Sequence, residues 1–250
     1  MASKLVDQNA SPDAAAAGLI EGPLDPLRYG GHVVEPTEVS EIVTSMIPKG
    51  ARVLEIGCGT GSLSRIVADT CGAEVVGIEP DSQRAERAKT RGLEVHVGYL
   101  SSELIHEIGV FDVVLLADVL EHVPNPHAML SLSRQALKPG GAVIISVPNV
   151  AHWSVRANLL RGKFKYESHG IMDATHLRWF TAVSIRSLVA SSGFKITEYH
   201  ATACPDLIDN ACRRPLSWLP PNSRRRFLRF ASRRWPTVFG VQHVVKAETA

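Results

Sequence analysis

The stretch LLADVLEHVPNP, Leu115 to Pro126, starts as an apolar run and within a few positions delivers Asp118, Glu121 and His122. Carboxylates and an imidazole at the end of a hydrophobic strand can move protons, hold a metal ion, or cap a helix. Imidazole has an unperturbed pKa of about 6.5, which makes His122 a candidate general base near neutrality. In a purely structural role, Glu121 and His122 would occupy a helical turn after the strand, with the ring bonded to backbone. The stretch alone leaves these alternatives open, so the surrounding elements must say what His122 faces.

VLEIGCGTGS supplies the nearest answer. Gly57, Gly59 and Gly61 let the backbone turn tightly and approach a ligand closely. The helix that follows offers unpaired N–H groups at its start. A dinucleotide-binding loop reads G-x-G-x-x-G, but here Ser62 replaces the last glycine and Glu55 stands two residues ahead of the loop. A carboxylate in that place suits a cationic ligand better than a pyrophosphate.

The elements that must position these residues follow a regular alternation. ARVLEIG, AEVVGIEP, LEVHVG, FDVVLLAD and GAVIISVP are short, rich in Val and Ile, and mostly apolar. Helical patterns fall at about 37–47, 61–70, 82–90, 125–136 and 181–191. Fully apolar strands alternating with helices predict a parallel sheet covered on both faces. FKITEYHATA and TVFGVQHVVKA predict two further strands. Residues 1–25 are rich in Ala, Asp and Pro and are expected to form a poorly ordered tail, with 26–250 forming one domain.

Composition limits the function classes. The chain has 250 residues, 45% of them hydrophobic, enough for one sizeable core. Net charge is only +2, yet Arg213 to Arg234 holds eight arginines and no acid, leaving 19 basic against 25 acidic residues elsewhere. Cys58, Cys71, Cys204 and Cys212 show neither a CxxC pair nor zinc-ligand spacing, so reduced thiols and a cytoplasmic setting are expected. The first residues lack a signal-peptide apolar region, and no run reaches the length of a transmembrane helix.

E-x-G-x-G-x-G at Glu55–Gly61 resembles motif I of class I S-adenosylmethionine (SAM) methyltransferases. The resemblance implies a Rossmann-like α/β fold: a seven-stranded, mostly parallel sheet, its last strand antiparallel, with helices on both faces and a helical insert or cap. It implies that Glu55, Gly57, Cys58, Gly59 and Gly61 hold the methionine part of SAM. Glu79, followed by Pro80, would take the ribose hydroxyls, as in dinucleotide folds. Tyr99 stands where the family commonly carries an Asp near adenine, and could stack on the ring or point away. Asp118 would flank the donor. LKPGGAVIISVPN, Leu137 to Asn149, resembles the family's turn into strand five.

VPNVAHWSVRANLLRGKFKYESHGIMDATHLRWFT closely resembles the bacterial methyltransferase-23-like subgroup. Residues 150–180 would then form an acceptor-site insert, with Tyr29, Asn149, Tyr166 and Arg178 as substrate contacts and His122, His152 and His176 as candidate proton acceptors. Asp118-x-x-Glu121-His122 also resembles the E-x-x-E-H element of metal-assisted O-methyltransferases of ubiquinone biosynthesis and of small-RNA ends. On that reading Asp118, Glu121, His122 and His176 form an oxygen–nitrogen site for a divalent metal such as Mg²⁺. The expected reaction is O-methylation of a small-molecule or sugar hydroxyl. N-methylation, a nicotinamide oxidoreductase and a non-catalytic SAM-binding module are the rival readings.

The segment 205–236 mixes arginine with Trp218, Phe227, Phe230 and Trp235 and is expected to form a helical cap. An amphipathic helix with a solvated basic face is its plainest reading. Contact with an anionic membrane surface or a phosphate is the alternative. Nucleic acid is disfavoured, because no RNA-binding module accompanies it.

Overall fold

The computed structural model of the protein describes residues 37–203 and 220–249. The expected N-terminal tail, Tyr29, Cys204, Cys212, Trp218 and the 205–219 part of the cap lie outside the described residues. Seven strands form one sheet: β1 (Arg52–Ile56), β2 (Glu74–Glu79), β3 (Glu94–Val97), β4 (Phe111–Ala117), β5 (Leu137–Pro148), β6 (Phe194–Thr202) and β7 (Gln242–Thr249). Their order is β3-β2-β1-β4-β5-β7-β6. β1 to β5 pair in parallel, and β7 runs antiparallel between β5 and β6.

The helices among the described residues are α1 (Glu38–Met46), α2 (Ser62–Cys71), α3 (Ser82–Thr90), α4 (Ser102–Ile108), α5 (Pro126–Gln135), α6 (Trp153–Leu160), α7 (Ala182–Ser191), α8 (Pro221–Arg234) and the short α9 (Pro236–Phe239). Side-chain caps fix where several of them start. Thr37 and Thr181 close capping boxes with Ser40 and Ser184, and Asp81 accepts from the Gln83 and Arg84 N–H groups. Asn125 caps α5, whose first residue, Pro126, has no N–H to satisfy.

Neighbouring residues of a strand face opposite sides, and the core divides accordingly. Leu54, Ile56, Val114, Leu116, Val143 and Ile145 pack one side with Leu130 of α5 and Ile185 and Val189 of α7. Val53, Val113, Leu115, Ile144 and Val244 pack the other with Val43 and Met46 of α1 and Val67 of α2. Burial on both faces is what the unbroken apolar runs demand. The expected strand TVFGVQHVVKA is shorter than predicted: Thr237 to Phe239 belong to α9, because Pro236 at its first turn presets helical φ, and pairing begins at Gln242. The helices α4 and α9 stand beyond those expected, and α6 lies in the expected insert. α6 buries only Val155, so it lacks the apolar stripe that marks a helix in sequence.

Candidate active site

Parallel strands β1, β2 and β4 end on one rim, and the polar residues of interest gather there. After β1 the backbone turns through Gly57, Gly59 and Gly61, all at positive φ. A Cβ on Gly61 would lie 2.4 Å from Leu93 Cδ1, so helix–sheet packing requires that glycine. A Cβ on Gly57 would lie 2.9 Å from Val119 Cγ2, which places the loop directly against the turn after β4. A Cβ on Gly59 would meet nothing within 4 Å: its side is open. No side chain caps the start of α2, which leaves its first N–H groups to the loop's ligand.

Two buried carboxylates back this loop. Ser64 donates to Glu55, and burial lifts the Glu55 pKa to about 8, with the Glu79 charge adding to the shift and Ser64 opposing it. Glu79 accepts from the Gly59 N–H (2.8 Å) and the Asp81 N–H (3.0 Å), which leaves lone pairs on both oxygens for further donors. Pro80 lies exposed beside it, and Tyr99 stands 72% exposed after β3. Cys58 packs inward with Ala85, Ala88, Leu93 and Val95, and burial raises its thiol pKa, so only its backbone faces the loop side. Arg91, which sequence reasoning missed, braces the loop from behind through the Thr60 carbonyl (2.6 Å) and Ser62 Oγ (2.7 Å). An open glycine bed, an uncapped helix start and two carboxylates fit a ligand with a cationic centre, a carboxylate and ribose hydroxyls.

At the end of β4 the backbone enters a left-handed conformation at Asp118, φ +55°, which a non-glycine residue seldom adopts. Its neighbours hold it there. The residue lies at the surface, but its carboxyl turns onto the buried Ser146 and Gln242: Ser146 Oγ donates at 2.9 Å and Gln242 Nε2 lies 2.8 and 2.9 Å from the two oxygens. Desolvation there raises the Asp118 pKa against those hydrogen bonds. Neither Ser146 nor Gln242 was expected at the site. Ser146 is marked in sequence as a polar residue interrupting the apolar run AVIISVP; Gln242, first residue of β7, carries no such mark.

Glu121, His122 and His176 converge, with one ligand atom from each within 4.8 Å of the others. The insert is tied down here, since the Leu177 and Arg178 N–H groups both donate to the Glu121 carbonyl (2.8 and 3.0 Å). His122 Nδ1 lies 3.3 Å from the Thr175 carbonyl, and His176 Nδ1 lies 3.1 Å from the Ile171 carbonyl. A carbonyl only accepts, so an Nδ1 bonded to one carries a proton; Thr175 Oγ1 lies 3.3 Å from His122 Nδ1 as well. The rings meet edge to face, 4.9 Å apart. Asp173 Oδ1 accepts from Thr175 Oγ1 (2.7 Å) and the Thr175 N–H (2.8 Å), which shapes the loop carrying His176. Glu121 is 1% exposed, and neither carboxylate oxygen has a hydrogen-bond partner among the described residues. Burial, with the Asp118 and Asp173 charges adding, holds its pKa well above the usual carboxylate range.

Several expected site residues make structural contacts. Asp118 is outside the convergent cluster, since Ser146 and Gln242 take its carboxyl. Asn149 is fully buried, with Nδ2 donating to the Gly240 (2.7 Å) and Thr237 carbonyls (3.2 Å) and Oδ1 accepting from Ala151, so nothing remains for a substrate. His152 is buried and caps α6 through Nδ1, and desolvation lowers its pKa to about 4. That is a neutral cap and not a poised base. Arg178 spends its guanidinium on the Pro124 (2.7 Å) and Leu177 (3.0 Å) carbonyls. Tyr166 stacks in a cluster with Phe164 and Trp179.

The family signature described as a methyltransferase domain matches residues 35–199. The chain belongs to this family of SAM-dependent methyltransferases. The methyltransferase is 35% identical over 135 residues to the ubiquinone biosynthesis O-methyltransferase of Xanthomonas axonopodis pv. citri, a match covering 52% of this chain and 54% of that protein. The chain thus spans about half the length of the curated relatives it matches. Among solved structures it resembles a SAM-dependent methyltransferase from Mesorhizobium loti, with a TM-score of 0.56 and 16% identity, covering 86% of this chain and 100% of that one. It also resembles magnesium protoporphyrin IX methyltransferase from Synechocystis with bound S-adenosylhomocysteine, with a TM-score of 0.57 and 17% identity, covering 85% and 83%. At these identities the likeness is one of fold, and it extends over most of the methyltransferase sheet.

Proposed function

We propose that the methyltransferase moves the methyl group of SAM onto a hydroxyl oxygen of a small molecule or sugar. The observation that carries this reading is the convergence of two imidazoles, His122 and His176, with Glu121 at the turn after β4, next to the glycine loop. When bound, SAM supplies an electrophilic methyl on a sulfonium, so the protein's work is alignment and proton removal. Glu55 and the Gly57–Gly61 backbone bind the methionine end, and Glu79 accepts from the ribose. A hydroxyl, with its high pKa, needs a base; an amine needs less help. His122, at the surface, takes the acceptor proton, and His176 orients its ring. The O-methyltransferase name of the curated relatives supports oxygen over nitrogen. Incubating the protein with SAM labelled in its methyl group and a mixed set of phenol, sugar and amine acceptors tests the reading. Label on oxygen is expected, and label confined to amines overturns it.

A second reading rests on Glu121. A buried carboxylate with both oxygens unpartnered among the described residues, within reach of two imidazole rings, fits a divalent cation. Glu121, His122 and His176 would hold it. A cation in that place would supply a Lewis acid that lowers the acceptor's pKa. Titration calorimetry with Mg²⁺ and Mn²⁺ separates the readings: binding lost in Glu121→Gln supports the cation, and no heat with either ion leaves proton transfer to the histidines alone.

A further inference from the structure

We infer that α8 docks the protein on the surface of an anionic lipid bilayer. Pro221–Arg234 carries six arginines and no acid. One side of the helix holds it to the body: Leu228, Ala231 and Ser232 are buried. The opposite side is not merely basic. Phe227 is 43% exposed and Phe230 61%, and Trp235, just past the helix end, is 46% exposed. Phe227, Phe230 and Arg234 follow the i, i+3, i+7 spacing that lines residues up on one face of a helix. Arg226 and Arg233, two turns apart, line one edge of that aromatic stripe, and both are exposed. Phe230 and Trp235 meet edge to face at 6.3 Å, which makes a continuous apolar ridge.

A ridge of aromatic rings bordered by arginines is the pattern of a helix that lies in a membrane interface. The rings enter the boundary between headgroups and acyl chains, while the guanidiniums along their edge reach the phosphates. A purely solvated basic face would not need three large rings turned outward. At about 1.5 Å per residue the helix is roughly 21 Å long, and among the described residues no helix is long and apolar enough to cross a membrane. The helix therefore lies on the surface.

Its placement links docking to the catalytic rim. α8 runs through α9 to Gly240, whose carbonyl receives Asn149 Nδ2, and then to Gln242, which bonds Asp118. The docked helix would hold the rim that carries the glycine loop and the Glu121–His122–His176 cluster close to the bilayer. The inference concerns binding and stands whichever acceptor the site takes.

Co-sedimentation of the full-length protein with vesicles tests it. Vesicles of phosphatidylcholine alone should retain little protein, and vesicles mixed with phosphatidylglycerol should retain most of it, with retention falling as salt rises. Phe227→Ser with Phe230→Ser should lower partitioning roughly tenfold or more at low salt, and Arg226→Gln with Arg233→Gln should lower it by about the same factor and flatten the salt dependence. These side chains are exposed, so thermal melting should match the parent and exclude misfolding. Three outcomes overturn the inference: no retention on anionic vesicles, retention unchanged by the aromatic double substitution, or retention abolished by millimolar inorganic phosphate or by RNA at constant ionic strength.

Discussion

At the scale of the residue, the proposed proton chemistry of His122 and His176 turns on the backbone carbonyls of Thr175 and Ile171 that lie against their Nδ1 atoms. The buried ionisable groups around them give two measurable consequences. Glu55 has a pKa of about 8, so it is mostly protonated at neutral pH. A sulfonium or ammonium beside it favours the carboxylate, and ligand binding then releases a proton. SAM affinity should therefore rise with pH up to about 8, by at most tenfold per unit, and Glu55→Gln should flatten that slope. Calorimetry in buffers of different ionisation enthalpy should show the released proton. His152 behaves oppositely. Its pKa falls from 6.5 unfolded to about 4 folded, so the unfolded chain binds more protons between those values and stability is lost as pH drops through that window. Asparagine also caps helices, so His152→Asn keeps the cap without the titration. By pH 5 the parent should have lost about 2 kcal/mol more than this variant relative to pH 7, as read by urea unfolding.

At the scale of the element, the glycine loop separates two roles that one motif seems to share. Gly61 is a packing glycine: Gly61→Ala drives a methyl into Leu93 at positive φ and should cost about 3 kcal/mol of stability. Gly59→Ala meets open space and should cost roughly 1 kcal/mol while weakening SAM binding roughly tenfold. Paired melting and binding measurements on the two variants check both. Such a loop is legible in sequence because spacing alone distinguishes it from a dinucleotide loop, and the Val- and Ile-rich strands are legible because burial on both faces leaves no polar positions. The corrected residues share a different property. Asn149 and His152 are polar, lie near the rim and look available, yet their partners are backbone groups at Gly240, Thr237 and their own helix start. Gln242 is the converse case: nothing local marks it, since it reaches Asp118 only because β7 inserts between β5 and β6. Hydrogen bonds between segments distant in the chain leave no periodic trace.

At the scale of the whole molecule, the sheet order brings the ends of β1, β2 and β4 onto one rim, and the segment after β5 folds back to add His176 to the turn that carries Glu121 and His122. The glycine loop and the Glu121–His122–His176 cluster are thus adjacent without sharing residues, and on the proposed function they should fail separately. The double variant His122→Ala/His176→Ala should bind SAM within a few-fold of the parent, because the loop, Glu55 and Glu79 are untouched. Its kcat for methyl transfer to a hydroxyl acceptor is the measurement that decides. Loss of the paired imidazoles should lower kcat roughly a hundredfold to ten-thousandfold. A double variant that keeps both its SAM affinity and the parental kcat would contradict the assignment of this cluster to the acceptor's proton.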